Sequence, residues 1–192
     1  VKNNTINVIQ KKQKIGIVIR QDILEKQVKY TYLAIGSNLG DKIDNIEKAK
    51  RFLILNNIFV KDSSSIYETA SWPNRKFPKF YNIVIKVNTN LSLFELFKFI
   101  KKIEKKIGRK KNLRNYPREC DIDIIDYKGL CLNEELNNQK IYTPHPMMQN
   151  RNFVIFPLYE VNKNWIHPKT KANIHSIINQ LKNEDFSDIR IV

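Results

Sequence analysis

Hydrophobic and polar positions along the chain follow two periods, one typical of strands and one typical of helices. Segments of strand length that are rich in apolar residues lie at 30–35, 60–67, 80–87, 120–127 and 189–192. In the third segment, Ile83 and Ile85 alternate with Asn82 and Val84. A period of two is typical of a β-strand because successive side chains point to opposite faces. The pattern therefore predicts five strands.

Apolar residues recur at helical spacing in other segments. After Asp41, which can cap a helix, the apolar positions are Ile43, Ile46, Ala49, Phe52 and Leu53. A longer amphipathic helix is predicted over 91–107, with an apolar stripe and with Gly108 where a helix ends. A short helix and an apolar run at 153–158 follow a proline-rich turn, and a last helix is predicted over 172–181.

Strands and helices mix without a regular β-α-β rhythm. This order favours an α+β fold, a largely antiparallel sheet with helices packed on its faces. The length of 192 residues favours one domain. Residues 1–28 differ from the rest because they hold one apolar run, Ile15 to Ile19, and little else to bury. We interpret them as an N-terminal extension of unknown role and residues 29–192 as the domain.

Composition narrows the cellular setting. No apolar stretch approaches the roughly 20 residues that cross a bilayer, and the first residues show no apolar core of a secretory signal. Cys120 and Cys131 have no metal-binding spacing and are too few for a disulfide framework. We expect a reduced, cytoplasmic protein without a membrane partner. The net charge of +15 invites an anionic partner, but Lys, Asn and Ile are abundant throughout, so only local clustering is informative.

The most specific polar motif is Asp121-Ile122-Asp123. On a strand both carboxylates project to one face, about 7 Å apart, while Ile122 and Ile124 face the core. Mg²⁺ suits such a pair because it uses one or two carboxylates and completes its shell with water and phosphate oxygens. The alternative is an edge strand whose outward carboxylates deter aggregation.

Basic residues precede this motif: Lys105, Lys106, Arg109, Lys110, Lys111, Arg114 and Arg118. Phosphoryl transfer needs such cations beside a metal because they neutralise charge as the bond breaks. For any single lysine, a solvated position on the surface is the better explanation of the charge. Arg118 has a defined position, because it follows Pro117 and lies close to Asp121.

Two further clusters can bind a ligand. Prolines flank His145 and stiffen its turn, and Arg151 follows six residues later, so the pair can grip a phosphate or ribose. A structural histidine is the alternative. The second cluster, residues 67–82, combines aromatic residues with Asn82, which suits a planar heterocycle. Here the alternative is a loop held to the core by its aromatic side chains. His167 and His175 lack partners at ligand spacing and are interpreted as structural or exposed.

Glycine motifs for nucleotides are missing from the printed sequence. Its five glycines form neither a P-loop nor a dinucleotide-binding turn. If the chain uses ATP, it does so by another route.

Taken together, these segments resemble the hydroxymethyl-dihydropterin pyrophosphokinase family. The matching segments keep the family's order and spacing over roughly residues 29–170: YLAIGSNLGD at 32–41, SIYET at 65–69, FYN at 80–82, PRECDIDI at 117–124, and PHP at 144–146 followed by RNF at 151–153. Lys111 stands where an arginine is common in the family, and Ala70 and Trp72 replace a proline and an aliphatic residue.

The resemblance implies a ferredoxin-like core and transfer of the β,γ-diphosphate of ATP to 6-hydroxymethyl-7,8-dihydropterin, with release of AMP, in folate biosynthesis. It implies two Mg²⁺ ions on Asp121 and Asp123. Catalytic roles would fall to these two and to Arg109 and Arg118. The residues implied to bind ATP are Glu104, Lys111, Arg118, Ile124, His145 and Arg151. Those implied to form the pterin slot are Thr69, Ala70, Trp72, Phe80, Asn82 and Phe153.

We expect small-molecule substrates, a monomer and no nucleic-acid partner. Two other classes stay open from the residues alone. A nucleic-acid-binding module would use the net charge and the basic loop. Another metal-dependent transferase would use the two aspartates but leaves the aromatic segment unexplained.

Overall fold

A computed structural model describes residues 29–110, 115–136, 139–181 and 187–192. The N-terminal extension 1–28 and the basic residues Lys111 and Arg114 lie outside this part. The strands are β1 (Thr31–Ser37), β2 (Phe59–Ser63), β3 (Tyr67–Thr69), β4 (Phe80–Asn88), β5 (Asp121–Tyr127), β6 (Leu132–Leu136), β7 (Gln139–Thr143) and β8 (Ile189–Ile191). The helices are α1 (Lys42–Ile54), α2 (Leu93–Ile107), α3 (Asn152–Val161) and α4 (Ile174–Ile178), with a 3₁₀ turn at Met148–Asn150.

Six strands form one antiparallel sheet in the order β5-β1-β4-β3-β8, with β2 also paired to β4. Along the chain, β1, α1, β2 with β3, β4, α2 and β5 follow one another. This succession and strand order are those of a ferredoxin-like core, so the predicted α+β class is confirmed. Strands β6 and β7 form a separate hairpin that the sequence pattern did not predict.

Helices cover both faces of the sheet. Leu96 and Ile100 of α2 join Ile83 of β4 and Leu33 of β1 in the core on one face. On the other face, Val154 of α3 and Ile174 of α4 belong to a second core. Helix α2 begins with a capping box between Ser92 and Glu95, which satisfies backbone N–H groups of its first turn. Within the described residues, no helix has the length and apolar character needed to cross a membrane.

The structure corrects some predicted boundaries. The single strand predicted over 60–67 is two strands, β2 and β3. At Ser64 between them, the side-chain hydroxyl accepts from Val84 N–H at 3.0 Å, while Ser64 N–H still donates to Val84 O at 2.9 Å. The predicted helix 172–181 is shorter, from Ile174 to Ile178. Strand β1 extends beyond the predicted end at residue 35 to Ser37, so Gly36 lies inside the sheet. This last correction matters for the site.

Candidate active site

Asp121 and Asp123 lie at the start of β5, beside the central strand β1. Asp121 pairs with Gly36 and Asp123 with Ala34, so both carboxylates lie on the face that carries α3. Ile122 and Ile124 point into the core on the opposite face, as the alternation predicts. Ile124, which the resemblance implied as an ATP contact, is only 6% exposed on that far side.

Arginines from two segments flank Asp121. Arg109 Nη1 lies 2.5 Å from Asp121 Oδ1, and Arg118 Nη1 lies 3.5 Å from Asp121 Oδ2. Arg109 also donates to Glu104 Oε1 at 2.6 Å. Burial works against the charge of Arg109, but Asp121 and Glu104 outweigh it and raise the pKa of the guanidinium. The guanidinium of Arg109 is therefore permanently charged.

Glu104 ties helix α2 to β5. Its side chain is buried, and its Oε1 accepts a hydrogen bond from the backbone N–H of Ile122 at 2.8 Å. Lys101, one helical turn earlier, donates to the same carboxylate at 2.9 Å. Glu104 thus meets the site through Arg109 and the strand backbone. Lys101 was not among the residues predicted for the site, although its position three residues before Glu104 on a helix was an available signal.

Asp123 pairs with a different arginine. Arg151 Nη1, at the start of α3, lies 3.1 Å from Asp123 Oδ2 and 3.5 Å from His145 Nε2. The structure therefore brings together the basic segment before β5 and the histidine–arginine cluster after it. The two aspartates lie between these groups of cations.

His145 is held by its backbone and its ring. Its N–H donates to Ile125 O at 2.9 Å, and its Nδ1 accepts from Met147 N–H at 3.2 Å. Burial lowers the pKa of His145, with Arg151 acting in the same direction and Asp123 against it. The ring is therefore neutral at pH 7. Because Nδ1 accepts, the proton lies on Nε2, where it can be donated to an anionic ligand.

Arg118 contacts both the aspartates and the aromatic segment 67–82. Besides its ion pair with Asp121, its guanidinium carbon lies 5.7 Å from the centre of the Phe80 ring. Its Nε is buried and has no hydrogen-bond partner among the described residues. A buried donor without a partner is costly, so a ligand that accepts from it would gain free energy on binding.

The aromatic segment contributes an ordered polar group, Asn82. Its Nδ2 donates to Thr69 Oγ1 at 2.9 Å, and both residues are buried. Asn82 pairs with Gly36 from one side while Asp121 pairs with it from the other. Asn82 and Asp121 are therefore two strand spacings, about 10 Å, apart on one face. A Cβ on Gly36 would lie 2.8 Å from Asn82 Oδ1, so only glycine leaves this space open.

The other residues predicted for the slot differ in exposure. Phe153 is partly buried and lies with its ring 5.6 Å from the guanidinium carbon of Arg151. Ala70 is partly buried in the loop after β3. Trp72 is 77% exposed. Phe77 of the same loop meets Tyr116 of the basic segment, with ring centres 5.4 Å apart, a contact that the sequence did not suggest.

Comparison with known proteins identifies a family. The family model described as 7,8-dihydro-6-hydroxymethylpterin-pyrophosphokinase (HPPK) matches residues 32–163. The Folic acid synthesis protein FOL1 of Dictyostelium discoideum is 41% identical over 151 residues, which are 79% of this chain but 22% of that protein. The 2-amino-4-hydroxy-6-hydroxymethyldihydropteridine pyrophosphokinase of Aquifex aeolicus (strain VF5) is 40% identical over 141 residues, 71% of this chain and 82% of that protein.

Solved structures agree in fold. An HPPK-DHPS of Plasmodium falciparum, crystallised with pterin and p-hydroxybenzoate, superposes with a TM-score of 0.67 at 13% identity, over 84% of this chain and 47% of that one. The chain thus spans about a fifth of the Dictyostelium relative and less than half of this structural neighbour. The family model covers more than half of the chain and includes both aspartates, His145 and Arg151. The chain therefore belongs to the HPPK family.

Proposed function

We propose that the chain transfers the β,γ-diphosphate of ATP to the hydroxymethyl group of 6-hydroxymethyl-7,8-dihydropterin, with release of AMP. The observation that carries the proposal is the pair Asp121 and Asp123, flanked by Arg109, Arg118 and Arg151 and about 10 Å across the sheet from Asn82. The family and the names of its relatives support the same reaction.

The carboxylates fit Mg²⁺ by the chemistry of their donors. Among the described residues, no group of three or more acidic, histidine or cysteine side chains forms a complete metal site. Two carboxylates suit Mg²⁺, which takes its remaining ligands from water and phosphate oxygens. We therefore assign two Mg²⁺ ions to Asp121 and Asp123 when ATP is bound. The ions would supply charge neutralisation on the phosphate oxygens.

The arginines would hold the phosphates. Arg109, Arg118 and Arg151 already face the carboxylates. Each guanidinium can donate to a second anionic partner because it carries several N–H groups. His145 Nε2–H would donate to the nucleotide beside Arg151. We retain Lys111, outside the described residues, as a further nucleotide contact. Glu104 would support the site indirectly, because its buried carboxylate accepts hydrogen bonds from Arg109 and from the backbone of β5.

Thr69, Ala70, Phe80, Asn82 and Phe153 would bind the pterin, with Trp72 as a contact from the open side. The amide of Asn82 would hydrogen-bond the ring edge, and Phe80 and Phe153 would stack on its faces. This leaves the hydroxymethyl group directed toward the aspartates. Its oxygen would form a bond to the β-phosphorus. The bond between that phosphorus and the oxygen that bridges it to the α-phosphorus would break, so that AMP leaves, and the alcohol proton would pass to solvent. Positioning and charge account for the catalysis.

The direct test is to incubate the chain with ATP, Mg²⁺ and 6-hydroxymethyl-7,8-dihydropterin and to identify the nucleotide product. We expect AMP in equal amount to the pterin diphosphate, and no AMP when Mg²⁺ is chelated. ADP as the product, or no turnover, would overturn the proposal. Turnover that is unchanged by chelation would overturn the metal assignment alone.

A further inference from the structure

Asn38, the first residue after β1, connects two segments that are distant in the sequence. It is 2% exposed. Its Oδ1 accepts from Arg118 N–H at 2.8 Å, and its own N–H donates to Arg118 O at 3.1 Å. Its Nδ2 donates to Ser71 Oγ and to Pro78 O, each at 3.1 Å. Both ends of the side-chain amide are therefore engaged.

The partners of Nδ2 stand at the two ends of the loop between β3 and β4. Ser71 Oγ donates to Pro78 O at 2.6 Å, so these two residues close the base of that loop. Since the serine hydroxyl uses its proton there, it offers Asn38 only an acceptor. Two acceptors on one side and an N–H on the other require an amide in this orientation. A carboxylate at this position would face Pro78 O without a proton to share.

The residue that donates to Asn38 Oδ1 is Arg118, which lies beside the aspartates. Arg118 carries the guanidinium that faces Asp121. The loop on the Nδ2 side leads into Phe80 and Asn82. Two ring contacts also join these segments, Phe77 with Tyr116 and Phe80 with the Arg118 guanidinium. Those contacts allow a wider range of geometries, whereas the buried Asn38 hydrogen bonds fix both distance and direction.

We propose that Asn38 is a positioning residue that holds the Arg118 segment and the 71–78 loop base in one fixed relation, so that the phosphate to be transferred and its acceptor alcohol meet in line. The inference rests on the proposed function. Asn38 contacts neither reacting group and acts through Arg118 and the loop. A displacement of about 1 Å between bound reactants is enough to cost roughly 100-fold in rate, even when both reactants still bind.

Two substitutions separate the two sides of the link. Asn38→Asp keeps an acceptor for Arg118 N–H but loses the donors to Ser71 and Pro78. Asn38→Ala loses both sides. Asn45→Asp is the matched control, because Asn45 is also buried and its Nδ2 donates to a hydroxyl, Ser37 Oγ, and to a carbonyl, Leu39 O, without touching either segment.

We expect Asn38→Asp to lower kcat by roughly 100-fold, close to the loss in Asn38→Ala, with each KM within about threefold of wild type. Asn45→Asp should keep the wild-type kcat per folded molecule, with the folded fraction measured by circular dichroism at the assay temperature. An unchanged kcat in Asn38→Asp, or an equal loss in Asn45→Asp, would overturn the inference.

Amide hydrogen exchange without substrates gives a second measurement that does not depend on activity. Asn38→Asp should speed exchange in the loop 70–79 but not at residues 115–118, whereas Asn38→Ala should speed exchange in both. Equal exchange in all variants would contradict the link itself. If wild type releases no AMP, the proposed function fails, and the exchange pattern still decides whether Asn38 joins the two segments.

Discussion

Glu104 accepts a hydrogen bond from the backbone N–H of Ile122 at 2.8 Å, which attaches helix α2 to the strand residue between the two aspartates. The same oxygen accepts from Arg109, so one buried carboxylate holds both the strand and a cation of the site. The contact with Arg109 spans five residues, whereas the bond to Ile122 joins positions 18 residues apart.

The first prediction concerns this bond. Glu104→Ala removes the acceptor and leaves the Ile122 N–H buried without a partner, which we expect to lower the free energy of unfolding by about 1–3 kcal/mol. Glu104→Gln keeps an oxygen acceptor and should cost less. Urea denaturation of the two variants measures the difference. If both unfold at the wild-type urea concentration, the bond does not contribute to stability.

The second prediction concerns the metal assignment. Asp123→Asn removes one of the two carboxylates while keeping the shape of the side chain. We expect the rate of AMP formation to fall by more than about 100-fold, which is the largest loss typical of residues that only support a metal ligand. Asp62→Asn on β2, where the carboxylate accepts from Ser63 N–H, is the control and should retain activity. Retained activity in Asp123→Asn would remove Asp123 as a ligand.

The third prediction concerns Gly36. Gly36→Ala would place a methyl group 2.8 Å from Asn82 Oδ1 and 3.4 Å from the Phe80 ring, so one of them must shift. Overpacking of this kind costs about 1–3 kcal/mol. We expect weaker pterin binding, roughly tenfold for each 1.4 kcal/mol, with nucleotide affinity retained.

Isothermal titration with the pterin and with an ATP analogue separates these two affinities. Gly129→Ala is the control: its φ of +69° makes the substitution strained, but nothing lies within 4 Å of the added carbon. It should lower stability and leave pterin binding unchanged. Wild-type pterin affinity in Gly36→Ala would show that the space above Gly36 is not used.

The fourth prediction is a pH dependence of stability at His167. Its Nδ1 accepts from Lys169 N–H and Thr170 N–H, both at 3.1 Å, and burial, together with the charge of Lys169, lowers the pKa of the ring. The unfolded chain therefore takes up the proton first, near pH 6.5. This contribution to stability is present above about pH 6.5 and is lost as the pH falls through the lower folded-state pKa.

His167→Asn keeps an acceptor close to the position of Nδ1 but cannot titrate. We expect the free energy of unfolding of wild type to fall more steeply than that of the variant between pH 8 and pH 5. Chemical denaturation at several pH values measures both slopes. Parallel slopes would contradict the shifted pKa of His167.

Local patterns predicted much of this molecule because their physical basis is local. Alternation along β5 placed Asp121 and Asp123 on one face and Ile122 and Ile124 in the core, as observed. The apolar stripe of 91–107 predicted α2, whose start is set two residues later by the Ser92 cap. The break between β2 and β3 was missed because it depends on the Ser64 hydroxyl accepting from Val84 N–H of β4, a contact between residues 20 positions apart.

The sequence by itself determined the family through its motifs, the α+β class through side-chain periods of 2 and 3.6, and the face on which the two aspartates lie. The ferredoxin-like core was implied by the resemblance to that family. Only the tertiary structure decided that Gly36 lies between Asn82 and Asp121. The same holds for the hydrogen bond from Ile122 N–H to Glu104 and for the bonds by which Asn38 joins Arg118 to the loop base. The physical reason is that strand register and buried hydrogen bonds join residues far apart in the chain, and no local pattern records their partners.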